Sequence, residues 1–490
     1  MHYLFDMIKV LHKAILRILL LSTFYYGGDC LAYSFPKDGK VTFYVSSSKG
    51  SDNNDGLSSD SPKKTIRSIN KKHNVIICLR CNDVFFEKMV GYKNSIITSY
   101  GNGNRPVICG FKVLVNPNSW VRVSEDIWKL DLSAEDNFAG HLSNYASNIN
   151  TFNDVGLIYA PHEDRVFGHL VQRYNQLEKD GDFYMTELFK PSDIEKEPFR
   201  YLYWKSKQDP RTKIKLCFSM YENGISKLSG CIVKGIAVVG FSRHGICNAT
   251  NTLIEDCQID MIGGSNFVRT KSWCRYGNGI EFWAINENDN TVRNCIISRT
   301  FDCGVTIQCN AKEIKDVKNI HFSNNRFYHC RQAFEHFISP SVSSYNPQYI
   351  DCDFSNNVCY EMGINEFNSP EGRDAAILSY ENRERFISVV YNTFYGSSYY
   401  CGSTVPLGMN KNKVYLYKGQ YLNHYHKDKN YPTIVVEDAE SISKYRNWSG
   451  DNSEIVIIER GSRLDEKLKK KISKRIGFKK PELHLERLNR

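Results

Sequence analysis

The chain has 490 residues, with 13% aromatic residues and 32 glycines against 14 prolines, a composition typical of a turn-rich folded protein and not of a disordered one. Its formal net charge is +10, but residues 461–490 carry eleven Lys or Arg against four Asp or Glu, and residues 1–32 add +1. Residues 33–460 therefore carry only about +2, which argues against a nucleic-acid partner.

Residues 1–32 have the pattern of a signal peptide. Lys9, Lys13 and Arg17 precede a short apolar run, and Cys30-Leu31-Ala32 suits cleavage after Ala32. The apolar run is short for a transmembrane segment. We expect an exported protein, periplasmic, cell-surface or secreted, with no transmembrane span after cleavage; an uncleaved N-terminal anchor is the alternative.

Residues 33–114 are predicted to form an N-terminal cap and the first coils of a solenoid. Tyr44-Val45-Ser46 is typical of a strand, residues 50–56 of a polar turn, and residues 61–66 of the start of a covering helix. Residues 52–56 have the composition of a calcium loop but lack the downstream bidentate Glu of an EF-hand. Turn and helix-cap hydrogen bonds are the favoured interpretation of this segment.

Residues 115–215 lose the short-strand pattern. Alternating, aromatic-rich runs such as Ile127-Trp128-Lys129-Leu130 and Tyr201-Leu202-Tyr203-Trp204 are separated by long polar connections. We interpret this part of the chain as an inserted antiparallel β-module.

Residues 216–405 can be aligned on themselves in two columns with steps of 25 to 38 residues. The first column is Cys231-Ile232-Val233, Cys257-Gln258-Ile259, Cys295-Ile296-Ile297, Asn325-Arg326-Phe327, Asn357-Val358-Cys359 and Asn392-Thr393-Phe394. The second is Gly245-Ile246, Gly279-Ile280, Gly304-Val305, Ala333-Phe334 and Gly363-Ile364. Strands this short predict stacked parallel coils, with buried thiols or an amide ladder at one turn. Residues 406–490 form a C-terminal segment ending in a solvated basic helix.

The sixteen cysteines do not predict a full disulfide framework, because removal of Cys30 with the signal peptide leaves an odd number. Cys78 and Cys81 have the spacing of a redox or zinc pair. They lie in an apolar run without a second Cys or His pair nearby, so buried strand thiols are the favoured interpretation.

The cap motifs Tyr-Val-Ser, Gly-Ser-Asp-Asn-Asn-Asp-Gly and Ser-Tyr-Gly-Asn-Gly-Asn-Arg-Pro-Val-Ile, together with the coils from Leu216 to about Tyr400, resemble the right-handed parallel β-helix proteins of the pectate-lyase-like superfamily. The insert resembles a module of exported, glycosidase-like members. The resemblance implies an all-β, right-handed parallel β-helix that acts on or holds a polysaccharide. That superfamily contains lyases, hydrolases, epimerases and adhesins, and this chain lacks the Gly-His-Gly pattern of polygalacturonases and the calcium-and-arginine set of pectate lyases.

Period-two alternation predicts which residues of the Gly-Ile strands face outward into a groove: Cys247, Glu281, Thr306, Glu335 and Asn365. Glu281, Asp302 and Glu335 are the candidate catalytic residues. Glu281 and Glu335 lie two coils apart, about 9 to 10 Å by strand spacing, at the upper edge of the roughly 6.5 to 9.5 Å of an inverting glycosidase. Asp302 lies on the intervening coil, closer to each, so that Glu281 with Asp302, or Asp302 with Glu335, could act as acid and base. The candidate substrate-binding residues are Arg243, His244, Asn278, Trp283, Gln308, Arg331 and Glu361.

The leading hypothesis is an exported glycoside hydrolase that cleaves a polysaccharide in this groove, without a required cofactor and as a monomer. A polysaccharide lyase is one alternative, in which His244 or Arg331 removes the proton beside a uronate carboxylate and an arginine or calcium ion neutralises that charge. A non-catalytic polysaccharide-binding or surface-assembly protein is another. On that interpretation the unlike charges satisfy one another on a solvated sheet.

Overall fold

The computed structural model describes residues 39–114, 116–132, 155–185, 201–212, 217–220, 222–269, 272–283, 286–309, 315–338, 346–363, 366–367, 374–381, 383–424 and 431–483. The predicted signal peptide lies outside these ranges. Within them, no helix combines the length and the apolar character that crossing a membrane requires.

The fold is a parallel β-helix, and the predicted fold class is confirmed. Three ten-stranded sheets run along the stack, and each coil contributes one short strand to each sheet in turn. Sheet 1 comprises Val41–Val45, Val75–Arg80, Ile96–Tyr100, Ile232–Lys234, Leu253–Glu255, Asn290–Arg293, Val317–Ser323, Tyr349–Ser355, Ser388–Val390 and Met409–Asn410. Sheet 2 comprises Met89–Val90, Ile225–Ser229, Ile246–Thr250, Ile280–Trp283, Cys303–Cys309, Gln332–Ile338, Ile377–Ser379, Tyr400–Gly402, Tyr421–His424 and Ile434–Val435. Sheet 3 comprises Val84–Phe85, Val107–Cys109, Ala237–Val239, Gln258–Ile262, Ile296–Thr300, Arg326–Tyr328, Val358–Tyr360, Thr393–Tyr395, Lys413–Tyr417 and Glu454–Ile458.

The second repeat column corresponds to sheet 2. Ile246 pairs with Ile280, Ile280 with Val305, and Val305 with Phe334 in parallel register. The residue before each strand is small because a Cβ on Gly279 would lie 2.5 Å from the carbonyl oxygen of Gly304 in the next coil. The fifth member was predicted wrongly: Phe334 pairs with Ile377, not with Ile364, which lies outside the described residues.

The first repeat column corresponds to sheet 3 from Cys257 onward, but Cys231 was assigned to it wrongly. Ile232 pairs with Leu253 in sheet 1, and Ile236 is the residue that precedes the matching strand of sheet 3. In the later coils the predicted amide ladder is present at this turn. The backbone N–H of each asparagine donates to the side-chain oxygen of the next, at 2.8 to 2.9 Å, through Asn325, Asn357, Asn392 and Asn412. All four are buried.

The N-terminal cap is held by carboxylates that accept backbone N–H groups. Asp52 accepts hydrogen bonds from the backbone of Lys64 and Thr65 at 3.0 and 2.8 Å, as the turn-and-cap interpretation predicted. The predicted covering helix is only a single 3-10 turn, Ile66–Ser68, whose first N–H donates to Glu87 at 3.0 Å. Cys78 and Cys81 are buried free thiols, as predicted.

The antiparallel strands of the insert form two four-stranded sheets around a second apolar core that contains Trp120, Leu130 and Trp204. One sheet is Arg165–Phe167, Val155–Ala160, Cys217–Met220 and Phe111–Val113; the other is Phe183–Tyr184, Tyr201–Lys205, Ile127–Asp131 and Trp120–Arg122. Shorter elements are the 3-10 turns Pro117–Ser119, Tyr174–Gln176 and Pro210–Thr212 and the hairpin Ser265–Arg269 with Ser272–Tyr276. The first sheet packs its other face on sheet 3 of the β-helix, through residues such as Leu157 and Tyr159.

Among the described residues, helix α1 (Ala439–Ser449) lies between the last strands of sheets 2 and 3, and helix α2 (Arg463–Ile476) follows the last strand of sheet 3. The basic tail was predicted as a solvated helix, but α2 buries Leu468, Ile472 and Ile476 on sheet 3 with Val358 and Tyr395. The lysines of this amphipathic helix lie mainly on its opposite, exposed side, so the run of basic residues alone did not reveal the buried face.

The C-terminal segment continues past α2 toward the insert. The carbonyl of Lys479 accepts a hydrogen bond from Gln258 at 2.9 Å, and the ammonium of Lys480 lies 3.3 Å from Asp164 of the insert. Leu483 joins the core between the insert and sheet 3. The tail therefore spans the outer face of sheet 3, from the last coils back to the insert.

Candidate active site

The outward residues of sheet 2 form a continuous file, here called the groove file. Strand register aligns one residue per coil, and the members in order are Ser226, Cys247, Glu281, Thr306, Glu335, Leu378 and Cys401. Four of the five outward residues predicted from alternation are in it. The fifth, Asn365, lies outside the described residues, and Leu378 occupies that place in the file.

Glu335 is the most buried acid of the groove file, with 4% of its surface exposed. Its Oε2 accepts hydrogen bonds from Gln308 at 2.7 Å and from the thiol of Cys303 at 3.0 Å. Burial, and secondly the negative charge of Asp302, raise the pKa of Glu335 to about 8. The carboxyl therefore holds a proton at neutral pH, and with Oε2 occupied as an acceptor, Oε1 is the oxygen left to carry it.

Asp302 lies in the turn that leads into the strand Cys303–Cys309, one coil before Glu335. A carboxylate oxygen of Asp302 and one of Glu335 are within 4.8 Å of each other. Its charge also contributes to raising the pKa of Glu281. The negative charge of Asp302 therefore contributes to raising the pKa of both neighbouring glutamates, because like charges disfavour ionisation.

Arg331 is buried beside this pair. Its Nε lies 3.3 Å from Asp374, and its guanidinium is 5.8 Å from the ring of Phe301. The arginine charge opposes the rise in the Glu335 pKa caused by burial and by Asp302. The site thus holds one fixed positive charge against two carboxyl groups, which favours leaving one of them ionised.

Two side chains orient Glu281. One comes from the turn before its own strand, and the other comes from the turn before the neighbouring strand of sheet 2. Asn278 Nδ2 donates to Glu281 Oε2 at 2.9 Å, and His244 Nε2 lies 3.3 Å from Oε1. Because His244 Nδ1 accepts the backbone N–H of Asn278 at 3.2 Å, the ring proton is on Nε2, the nitrogen nearest to Glu281. Burial raises the pKa of Glu281 to about 7 and, together with the charge of Arg243, lowers that of His244 well below its usual value.

Trp283 ends the same strand, and its backbone N–H donates to Glu287 at 2.9 Å. Burial raises the pKa of Glu287 to about 7. Glu287 also accepts a hydrogen bond from Asn248 at 3.1 Å. It was not predicted as a site residue, because it lies in an irregular connection where no repeat column reaches.

Glu361 lies apart from these residues. It was aligned with Arg331, but Tyr328 pairs with Tyr360, so that Glu361 is placed opposite His329 at the edge of sheet 3. Its carboxylate is 3.3 Å from His329 Nε2. Burial lowers the pKa of His329, but the carboxylates of Glu361 and Glu366 outweigh this effect and raise the pKa to about 9. The structure therefore gives Glu361 a partner other than the groove file.

Cys303 and Gln332 were also missed. Both are fully buried at the start of neighbouring sheet 2 strands and contact each other, and Cys303 also contacts Glu335. A cysteine in a chain with buried thiols at many coil positions gives no signal of its own. Parts of the connections near the sheet 2 strands, within residues 284–291, 309–319, 338–348 and 368–385, lie outside the described residues.

The donors at Asp302, Cys303 and Glu335 do not fit calcium, the ion considered for the lyase alternative. Calcium takes six to eight oxygen ligands, whereas this group contains a sulfur and only two carboxyl groups.

Comparisons with known proteins give only distant likenesses. No family model and no curated protein matches the chain. It is similar to the structure of XylC in complex with xylose, with a TM-score of 0.48 and 11% identity over 85% of this chain and 82% of that one. Two structures of a GH136 lacto-N-biosidase from Eubacterium ramulus give TM-scores of 0.38 and 0.32, with 12% and 10% identity, over 86% and 85% of this chain and 68% of each of theirs. Similarity at this level carries no argument about activity, and membership of the pectate-lyase-like superfamily stays a prediction.

Proposed function

We propose that this protein is an exported glycoside hydrolase that cleaves a polysaccharide or a fragment of one in the groove along sheet 2. The observation that carries the proposal is the pair of Glu335 and Asp302. A buried carboxyl group that is protonated at neutral pH lies within 4.8 Å of a second, more exposed carboxyl group. Glycosidic bond cleavage needs such a pair, one group to donate a proton and the other to act as a base or nucleophile.

The short separation favours a double displacement. Retaining glycosidases place their two carboxyl groups about 5 to 5.5 Å apart, and inverting ones about 6.5 to 9.5 Å. In the proposed reaction, Glu335 protonates the glycosidic oxygen while the Asp302 carboxylate attacks the anomeric carbon, forming a glycosyl ester and releasing the leaving group. Ionised Glu335 then takes a proton from water, whose oxygen displaces Asp302 and regenerates both groups.

Glu281 is proposed to bind sugar hydroxyl groups. Its two oxygens are oriented by Asn278 and His244, and it lies two coils from Glu335 along the groove file. An inverting reaction between Glu281 and Glu335 is the second mechanism, and the configuration of the first product distinguishes it. The lyase alternative is less favoured, because both of its candidate bases are buried: His244 accepts a backbone N–H at Nδ1, and Arg331 is paired with Asp374 at 3.3 Å.

Export, a monomeric state and independence of a cofactor stay proposals. The aromatic and acidic residues near the groove, with only a few arginines, favour a neutral sugar over a uronate as substrate, since a carboxylate ligand would meet Glu281, Asp302 and Glu335.

The test uses the protein without residues 1–32, a panel of polysaccharides and oligosaccharides, and two variants. Glu335→Gln and Asp302→Asn should each lower hydrolysis by about 10²- to 10⁴-fold while substrate binding changes little. The loss in Glu335→Gln should shrink for aryl glycosides with acidic leaving groups, which need no proton donor. Asp353→Asn, a carboxylate 2.6 Å from His321 on sheet 1, is the matched control.

The first-formed anomer, followed by NMR, should retain the configuration of the substrate. Inversion would support the Glu281 and Glu335 pair instead. An unsaturated product detected by ultraviolet absorbance would identify a lyase. If wild-type protein binds a glycan but cleaves none, and both variants bind it equally, the non-catalytic alternative is correct.

A further inference from the structure

Cys303 lies at the centre of the proposed catalytic pair, and the proposed hydrolysis does not use its thiol. Its Sγ is 3.0 Å from Glu335 Oε2, 3.5 Å from Gln332 Oε1 and 3.7 Å from Asp302 Oδ1. A thiol has one proton to donate. Three oxygen atoms therefore surround a group that can donate to only one of them.

These separations resemble the edges of a tetrahedral metal site. With Zn–S near 2.3 Å and Zn–O near 2.0 to 2.2 Å, a regular tetrahedron places sulfur and oxygen ligands about 3.5 to 3.7 Å apart. The distances to Gln332 and Asp302 already match, and the Glu335 oxygen must retreat by about 0.5 Å. Asp302, Cys303 and Glu335 are the one group of three suitable side chains found among the residues that the structure describes.

We propose that Asp302, Cys303 and Glu335, completed by the amide oxygen of Gln332, bind a thiophilic divalent cation such as Zn²⁺, and that the bound cation inhibits the enzyme. The binding site stands on geometry alone, whereas the inhibition rests on the proposed function. A sulfur ligand selects zinc-like ions over calcium and magnesium. Asp302, which is more exposed than the other three ligands, provides access from the groove.

Binding has a defined proton balance. The thiol of Cys303 and the carboxyl group of Glu335 both release their protons to solvent, since thiolate and carboxylate are the ligand forms. Catalysis stops because Glu335, without its proton and engaged by the metal, cannot protonate the glycosidic oxygen. The nearby charge of Arg331 opposes the cation, but Asp374 at 3.3 Å offsets part of that charge.

Cobalt is the spectroscopic probe, because Co²⁺ replaces zinc and a thiolate ligand produces an intense charge-transfer band in the near ultraviolet. Metal-free wild-type protein is titrated with CoCl₂ under reducing, oxygen-free conditions. It should show this band together with the intense visible bands of a tetrahedral cobalt ion, and all of these bands should saturate at one equivalent of cobalt. Cys303→Ser should lose the charge-transfer band. Cys352→Ser, which alters another buried thiol, should keep it.

A second variant keeps the proposal testable if Cys303→Ser fails to fold. Glu335→Gln should keep the sulfur band but weaken cobalt binding by at least about tenfold, since even a lost outer-shell partner costs that much. Absence of the band in wild type, or its survival in Cys303→Ser, would overturn the proposal.

Inhibition is measured as the ratio of activities without and with saturating ZnCl₂. The ratio should exceed tenfold in wild type, return to one with EDTA, and stay below twofold in Cys303→Ser whatever that variant's own activity. A cobalt band without inhibition would refute the regulatory part. Failure to cleave any glycan would refute the proposed function and leave the cobalt result decisive for the site.

Discussion

Replacing Asp302 with Asn should lower the pKa of Glu335. The Asp302 charge is, after burial, the second cause that raises this pKa to about 8. Two unit charges at the outer limit of the separation between these carboxylate oxygens, 4.8 Å, interact by about 3.5 kcal/mol at an effective dielectric constant of about 20, which corresponds to about 2.5 pKa units. Burial remains in the variant, so the pKa of Glu335 should stay above its ordinary value of 4.5.

Carbon-13 NMR of protein labelled at the glutamate carboxyl carbons can follow this titration. The resonance that is absent from the spectrum of Glu335→Gln belongs to Glu335. In the wild type, the titration midpoint of this resonance should lie near pH 8. It should fall by one to about 2.5 units in Asp302→Asn, and remain in place in the control Asp353→Asn. A midpoint in Asp302→Asn within 0.3 units of wild type would refute the electrostatic coupling, and with it the assignment of the two acids to one pair.

Three further predictions concern stability. Folded Glu335 keeps its proton up to about pH 8, whereas the unfolded chain releases it near pH 4.5, so the unfolding free energy of the wild type should fall as pH rises through this window. In urea denaturation at several pH values, the unfolding free energy of Glu335→Gln should fall less steeply with pH. Equal dependence on pH in the two proteins would contradict the raised pKa of Glu335. Asn357→Ala should cost at least about 2 kcal/mol, since it leaves the buried N–H of Asn325 and the carbonyl of Phe322 without their partner; a loss below 0.5 kcal/mol would show that the ladder is dispensable. Gly279→Ala should cost about 1 to 3 kcal/mol by forcing a methyl group against the next coil, and an unchanged melting temperature would mean that the coils can separate there.

The fold could be predicted because each coil repeats the same physical requirements. Small residues precede the sheet 2 strands where backbones approach closely, and amides follow one another where the coil turns. These constraints leave a periodic trace in the sequence. The errors fell where periodicity fails, as at Ile364, where the connection before Ile377 is longer than in the two preceding coils.

The candidate site was less accessible to sequence reasoning. Alternation placed Glu281 and Glu335 on the same outward file, and the structure brings Asp302 close to Glu335. Sequence alternation could not determine which turn residue of one coil aligns with which turn residue of the next. Glu361 was aligned with Arg331, but the structure places it opposite His329, two residues away. Contacts such as that between Cys303 and Glu335 depend on side-chain direction within a turn, which residue spacing does not encode.

The C-terminal tail also bears on how the whole molecule unfolds. Solenoids are held by nearest-neighbour contacts, so their terminal repeats can fray independently of the rest. Here Arg475 donates to Thr393 at 3.2 Å, while Gln258 and Asp164 contact Lys479 and Lys480. The final coils cannot peel away without detaching a strap anchored near the insert. This strap would then convert a stack of separable repeats into a single cooperative unit.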